Sequence, residues 1–412
     1  MRFYIDPGTG SMLFAILIGL IGAANYLIRG WIAKLRFLAS GGKAKDINDK
    51  KIPFVIFSDD KRYWQNFEPI CREMDKRGID VTYMTASPDD PALQNPYPHI
   101  RAEFIGTGNK PFAKLNFLNA RILIATTPGL DVYQWKRSKD VQFYVHILHA
   151  AGDISMYRMF GIDCYDAIIL SGDYQIDQVR KLEEIRGLPP KELIKLGLPY
   201  MDEMARRLAE DKNTVFEDKK TVLIAPSWGV SSIFARFGGK VIGELLKTDY
   251  NIIIRPHPQS VVSEKKLLDK ISAEYPDSDR ISWNYDSNNY EVLKKSDIMI
   301  SDFSGVIFEF ALIYDKPVIY TNTEFDKSPY DAWWLDETPW TFKALPKLGA
   351  ELSEETMEQL SSIIEDCLNS PEYSENRKSL RNETWANIGH STEDTVDYLV
   401  SKYNELTGKE EA

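Results

Sequence analysis

The chain has 412 residues, 43% hydrophobic and 27% charged, enough apolar material for the cores of two ordinary domains and too much for a disordered or collagen-like chain. A formal net charge of -11 provides no global basic field to release counterions from a phosphate backbone, which argues against nucleic acid as a partner. Cys71, Cys164 and Cys367 lie far apart in no metal-ligand spacing, and their odd count argues against a disulfide framework, so they read as reduced thiols.

From Met12 to Ile28 the run MLFAILIGLIGAANYLI carries no charge, and about 17 residues is the lower limit for a helix crossing a hydrocarbon core. Arg29, Lys34, Arg36, Lys43 and Lys45 follow it, so the positive-inside rule predicts a single-pass transmembrane helix at the cell membrane with the body of the chain in the cytoplasm. The alternatives are an interfacial or buried helix and a cleaved signal peptide, whose charge should precede the apolar run. Residues 1–40 are read as this anchor and its flank, and the polar 41–51 as a linker.

Beyond the linker, compact apolar runs at Pro53–Phe57, Val81–Thr85, Ile122–Thr126, Phe143–Leu148 and Ala167–Leu170 predict buried strands. Between them lie helical patterns such as Asp173–Arg186, where Ile176, Val179 and Leu182 recur at helical spacing after an acidic start. After the charged stretch Arg206–Lys220 the pattern restarts, with strands predicted at Val222–Ala225, Ile252–Ile254, Ile298–Ile300 and Val318–Tyr320. Buried strands alternating with helices imply parallel sheets covered on both faces. The expected architecture is α/β, with two doubly wound parallel-sheet domains facing a cleft: a first domain over 52–205, a second over 206–385, and a helix with an acidic tail over 386–412.

Ligands of open parallel sheets bind beyond the carboxyl ends of the strands. In Ile298–Tyr314 a strand ends at Ser301-Asp302, the turn Ser304-Gly305 follows, and a helix begins. A hydroxyl, free N–H groups and a glycine that lets the backbone approach closely suit a diphosphate. Glu309 lies about 6 Å further along the helix axis, within an otherwise apolar run, where it could accept hydrogen bonds from ribose hydroxyls. The plain alternative is a capped helix with a solvated glutamate. In Asn251–Ser260 a strand ends at Arg255-Pro256-His257-Pro258, and the two prolines restrict the backbone around an imidazole and a guanidinium suited to phosphate; the alternative is a structural turn. In Phe143–Asp153, His149 stands beyond the apolar run and is placed to act as general base. His146, three residues earlier on the opposite strand face, reads as a core histidine. Trp228, after Val222–Ala225, could stack on a base or simply pack. No metal loop is recognised, and no cofactor is expected.

The strand-end RPHP of Arg255–Pro258 followed by SDFSGVIFEFALIYDKPVIY at Ser301–Tyr320 resembles the CDP-glycerol glycerophosphotransferase family of teichoic-acid-type polymer synthesis. Ala225–Trp228 and Gly197–Tyr200 resemble further short signatures of that family. The resemblance implies a GT-B fold in which the first domain is the acceptor side and the second the nucleotide-donor side. It also implies donor-phosphate contacts from Arg255 and His257, diphosphate binding at Ser304 and Gly305, ribose binding at Glu309, and His149 as the base. After His149 the chain reads Ala150-Ala151-Gly152-Asp153, where the family's run usually begins with glycine and contains a lysine.

The expected function is a membrane-anchored transferase moving glycerol phosphate, or a related polyol phosphate, from a CDP-activated donor to a lipid-linked or polymer acceptor in cell-envelope polymer synthesis. The alternatives are a GT-B glycosyltransferase or epimerase-like enzyme using a nucleotide sugar, and a non-catalytic nucleotide-binding scaffold.

Overall fold

Each apolar run picked out above is a strand, to within two residues at either end. The computed structural model describes residues 51–212, 219–286, 288–321 and 324–408. The first sheet contains β1 (Ile52–Ser58), β2 (Val81–Thr85), β3 (Ile100–Phe104), β4 (Ala120–Ala125), β5 (Val141–Ile147), β6 (Ala167–Leu170) and β7 (Glu192–Lys195), all parallel in the order β3-β2-β1-β4-β5-β6-β7. The second contains β8 (Thr221–Ile224), β9 (Asn251–Ile254), β10 (Ile281–Trp283), β11 (Ile298–Ser301), β12 (Val318–Thr321) and β13 (Gly349–Leu352), parallel in the order β10-β9-β8-β11-β12-β13. The strands absent from the apolar pattern are β3, β7, β10 and β13, the edges of the two sheets. An edge strand is covered less completely, so its sequence mixes polar and apolar residues and shows no run.

Strand order reverses direction between β1 and β4 in the first sheet and between β8 and β11 in the second. There, crossover helices leave to opposite faces, and a crevice opens beyond the carboxyl ends. Registers are direct at both points, with Ile56 opposite Ile124 and Ile224 opposite Ile300.

An apolar cluster joins the domains, with Leu148, Ile154 and Leu170 of the first packed among Leu223, Met299 and Phe308 of the second. Polar contacts pin the same seam. Asp153 accepts from the Thr341 N–H at 3.1 Å, across the head of the helix Trp340–Leu348, and Trp340 stacks on Tyr174 with ring centroids 4.0 Å apart. The buried Arg186, at the end of the helix Asp173–Arg186, bridges Asp163 of its own domain (2.7 Å) and Asp331 beyond β12. The chain then returns to the first domain: the helix Ser391–Thr407 buries Val396 and Leu399 against Phe54, Ile56 and Ile70. Gly197 makes that return possible. Its φ is +80°, and a Cβ there would stand 2.1 Å from the Ala386 carbonyl oxygen.

The transmembrane part of the expected architecture is corrected. Among the described residues no helix is long and apolar enough to cross a membrane. The longest, Ser391–Thr407, has 17 residues and carries Glu393, Asp394, Asp397, Lys402 and Glu405 beside its buried apolar side chains, whereas a span needs about 20 predominantly apolar residues. Met12–Ile28, on which that expectation rested, lies outside the described residues. Cys71, Cys164 and Cys367 are free thiols.

Candidate functional site

His149, Ala150 and Gly152, just beyond β5, line a cavity of about 230 Å³ together with Phe303, Gly305 and Phe308 of the second domain. The loop after His149 is held rigidly. The Gly152 carbonyl accepts from Gln175 Nε2 at 2.8 Å and from the Tyr174 hydroxyl at 3.2 Å, and the Ile154 N–H donates to Gln178 at 3.2 Å. In this chain the run Ala150–Asp153 therefore serves the domain seam, with Ala151 fully buried and Asp153 reaching the helix Trp340–Leu348.

The His149 ring packs edge-on against Tyr63 at 5.6 Å between centroids, and its Nδ1 lies 3.3 Å from the Tyr157 hydroxyl. Burial holds its pKa down at about 4, and the positive charge of Arg62 adds to the effect. His146 is fully buried, with its pKa pushed down to about 3 by burial and then by His149. Strand alternation predicts opposite faces for the two histidines. Instead both reach Tyr157, because β5 ends at Ile147 and His149 already belongs to the loop.

In the second domain, Pro258 opens a short helix, and His257 caps it by accepting the Gln259 N–H on Nδ1 at 3.1 Å. The neutral ring therefore carries its proton on Nε2, which makes His257 a hydrogen-bond donor. Burial, then Arg62, then His149 depress its pKa to about 4, so the imidazoles of the two domains lie within electrostatic reach of each other. Arg255 is aimed by Asn284, whose side-chain oxygen accepts from it, and by the Asp286 carbonyl at 2.8 Å.

Gly305 and Ser304 form the turn into the helix Val306–Ile313, with the Ile307 N–H donating to the Ser304 carbonyl at 3.1 Å. Glu309, 7% exposed, accepts from Asn289 Nδ2 at 2.6 Å. Burial raises its pKa, opposed by the neighbouring Tyr200, Asn289 and Arg255. Asp302 has a structural part: its buried carboxylate accepts from the backbone N–H groups of Ser227 (2.9 Å), Ile233 (3.1 Å) and Phe303 (2.7 Å). It thereby ties the loop after β8 to the end of β11. Trp228 on that loop is 38% exposed.

Arg62 escaped the sequence reading. It follows β1 in the segment Lys61–Tyr63, where Asp60 accepts from its Nε at 2.9 Å. Its charge acts on both His149 and His257. The signal was available, because the strand-end rule applied to Pro53–Phe57 leads directly to Ser58-Asp59-Asp60-Lys61-Arg62.

Residues 42–388 match the protein family described as CDP-Glycerol:Poly(glycerophosphate) glycerophosphotransferase. The chain belongs to this family. The resemblance carried by Arg255–Pro258 and Ser301–Tyr320 is thereby borne out, and the expected enzyme class, a glycerophosphotransferase-like transferase, agrees with membership. Two teichoic acid glycerol-phosphate primases are similar: that of Bacillus spizizenii is 29% identical over 39% of this chain and 41% of the relative, and that of Bacillus subtilis 28% identical over 32% and 34%. The chain thus spans about two-fifths or less of the length of the curated relatives it matches. Among solved structures, the wall teichoic acid polymerase TagF in a CDPG soak aligns with a TM-score of 0.56 at 15% identity, covering 92% of this chain and 99% of that one. S. aureus MnaA with UDP aligns with a TM-score of 0.58 at 10% identity, covering 86% and 97%. UDP-GlcNAc 2-epimerase from Neisseria meningitidis aligns with 0.56 at 14% identity, covering 85% and 100%. These likenesses establish the GT-B fold.

The expected function is corrected with the anchor. No described helix supports a membrane-anchored enzyme, a single-pass location at the cell membrane, or a membrane partner reached through an N-terminal helix. The fold shared with the teichoic acid polymerase and the epimerases is the one that the alternative, a GT-B glycosyltransferase or epimerase-like enzyme, requires.

Proposed function

We propose that this chain is a GT-B transferase that takes its donor group from a nucleoside-diphosphate-linked substrate, held by the second domain, and passes it to an acceptor hydroxyl on the first. The observation that carries the reading is the shared cavity, in which His149 of one domain and Gly305 of the other line the same space. Arg255 and the Nε2–H of His257 neutralise the diphosphate, assisted by the N-terminus of the helix Val306–Ile313. Ser304 donates its hydroxyl to a phosphate oxygen, and Gly305 leaves room for it. Asn289 donates to one oxygen of Glu309 and Tyr200 lies beside the same carboxylate, whose remaining lone pairs accept from ribose. Trp228 offers a stacking face for the base. His149 removes the acceptor proton, a role worth about 10²–10⁴ in rate. Family membership makes CDP-glycerol the first donor to test and a growing polymer the first acceptor.

Calorimetric titration of the full chain with CDP-glycerol, CDP, UDP and UDP-GlcNAc tests this reading. Cytidine-selective binding, weakened at least tenfold in Glu309→Ala and His257→Ala, is the expected result. Preference for UDP-GlcNAc would turn the reaction toward nucleotide-sugar chemistry, and absence of binding to any of the four would overturn the proposal.

A further inference from the structure

Tyr157 Oη lies 3.3 Å from Nδ1 of His149 and 3.2 Å from Nε2 of His146. A phenol has one proton, so a hydroxyl between two imidazole nitrogens accepts from one and donates to the other. We infer that Tyr157 is a positioning residue that holds the proton of His149 on Nδ1 and passes its own hydrogen bond to His146, leaving the Nε2 lone pair of His149 facing the cleft. This rests on the reading of His149 as the base.

His149 can accept a proton at Nε2 only if Nδ1 carries the other, and the Nδ1 partner is that hydroxyl. When the acceptor O–H bond breaks, its proton goes to Nε2 and its electron pair stays on the acceptor oxygen. The imidazolium then keeps donating Nδ1–H to Tyr157, so the hydrogen-bond direction is the same before and after transfer. His146 ends the chain. Among the described residues no carboxylate faces it and its Nδ1 has no hydrogen-bond partner, its ring lies 4.9 Å from that of Tyr165, and with Nε2 accepting, its own proton stays on Nδ1, so burial keeps the ring neutral while it accepts. The groups facing His149 are Arg62 and Tyr63 from the segment after β1, Tyr157 and His146 behind it, and His257 across the cleft. Among the described residues named here none is a carboxylate that could accept Nδ1–H in place of Tyr157.

Nitrogen-15 NMR of the labelled full chain reads the tautomer directly, and Nδ1-protonated His149 is expected; the Nε2-protonated form overturns the inference. In turnover, Tyr157→Phe should lower kcat about 10- to 100-fold with KM within about twofold, and should move the acid limb to lower pH, because the imidazolium loses its acceptor. His146→Gln keeps an acceptor oxygen and should retain activity, whereas His146→Leu should behave like Tyr157→Phe. Unchanged kcat and pH profile in Tyr157→Phe, with His149→Ala inactive, would also overturn the relay. If His149→Ala turns over normally, the base assignment fails instead. Donor titration of each variant separates loss of fold from loss of the relay, and the wild-type tautomer decides the question even if a variant does not fold.

Discussion

Gly305 faces Ala150 so closely across the domain seam that a Cβ added at residue 305 would stand 3.4 Å from the Ala150 Cβ. The backbone at Gly305 is helical, with φ -57°, and 3.4 Å is an ordinary van der Waals contact, so neither conformation nor space excludes a single methyl group there, while a larger side chain would enter the cavity. Gly305→Ala should therefore be tolerated, while Gly305→Val fills the cavity between His149 and Phe308. We expect donor affinity to fall at least tenfold in the valine variant with the melting temperature nearly unchanged, measured by titration and thermal denaturation in parallel.

Arg62 brings positive charge to both cleft histidines, and each has its pKa lowered by it. Replacing it with glutamine should raise both values and weaken donor binding most at low salt, where screening is least. Imidazole titration by NMR and affinity against ionic strength are the two readouts. Unmoved histidine titrations would place Arg62 outside the site's electrostatics.

His149 and His257 are both held near pH 4 by burial. A general base works unprotonated, and the profile of kcat/KM reports the free enzyme. Because the folded values lie below the ordinary imidazole value near 6.5, the active form persists as pH falls through 6. The plateau should hold to about pH 5 and drop through about 4. A fall centred near 6.5 would mean that the cleft does not shield these rings.

Arg186 is 5% exposed in its side chain and joins Asp163 to the fully buried Asp331, with its guanidinium over the rings of Phe160 (4.8 Å) and Trp334 (5.3 Å). Burial raises the pKa of Asp331 to about 6 even beside that cation. Arg186→Met leaves two carboxylates without their partner, and breaking a buried pair in this way costs about 3–5 kcal/mol. Chemical denaturation at pH 7 should show a loss of this size, reduced at pH 5, where protonation of Asp331 relieves its unpaired charge.

What the sequence determined was what hydrophobic patterning encodes locally. The inner strands, helices such as Asp173–Arg186, the strand-end positions of His149, Arg255, His257 and Ser304, and the place of Glu309 in the helix that follows β11 come from runs and periods that each segment carries by itself. The edge strands β3, β7, β10 and β13 did not, since their residues answer to partial burial decided by neighbours far along the chain. The same limit applies to hydropathy at Met12–Ile28, which describes a segment and not its surroundings. Only the tertiary structure brought His146 and His149 to one phenol, set Arg62 before two imidazoles from different domains, turned Asp302 into a strut under Ser227, and buried Arg186 between two aspartates. The first depends on where β5 ends and how the loop after it folds back, and the other three on distances closed by packing between segments remote in sequence; a one-dimensional pattern carries no term for either.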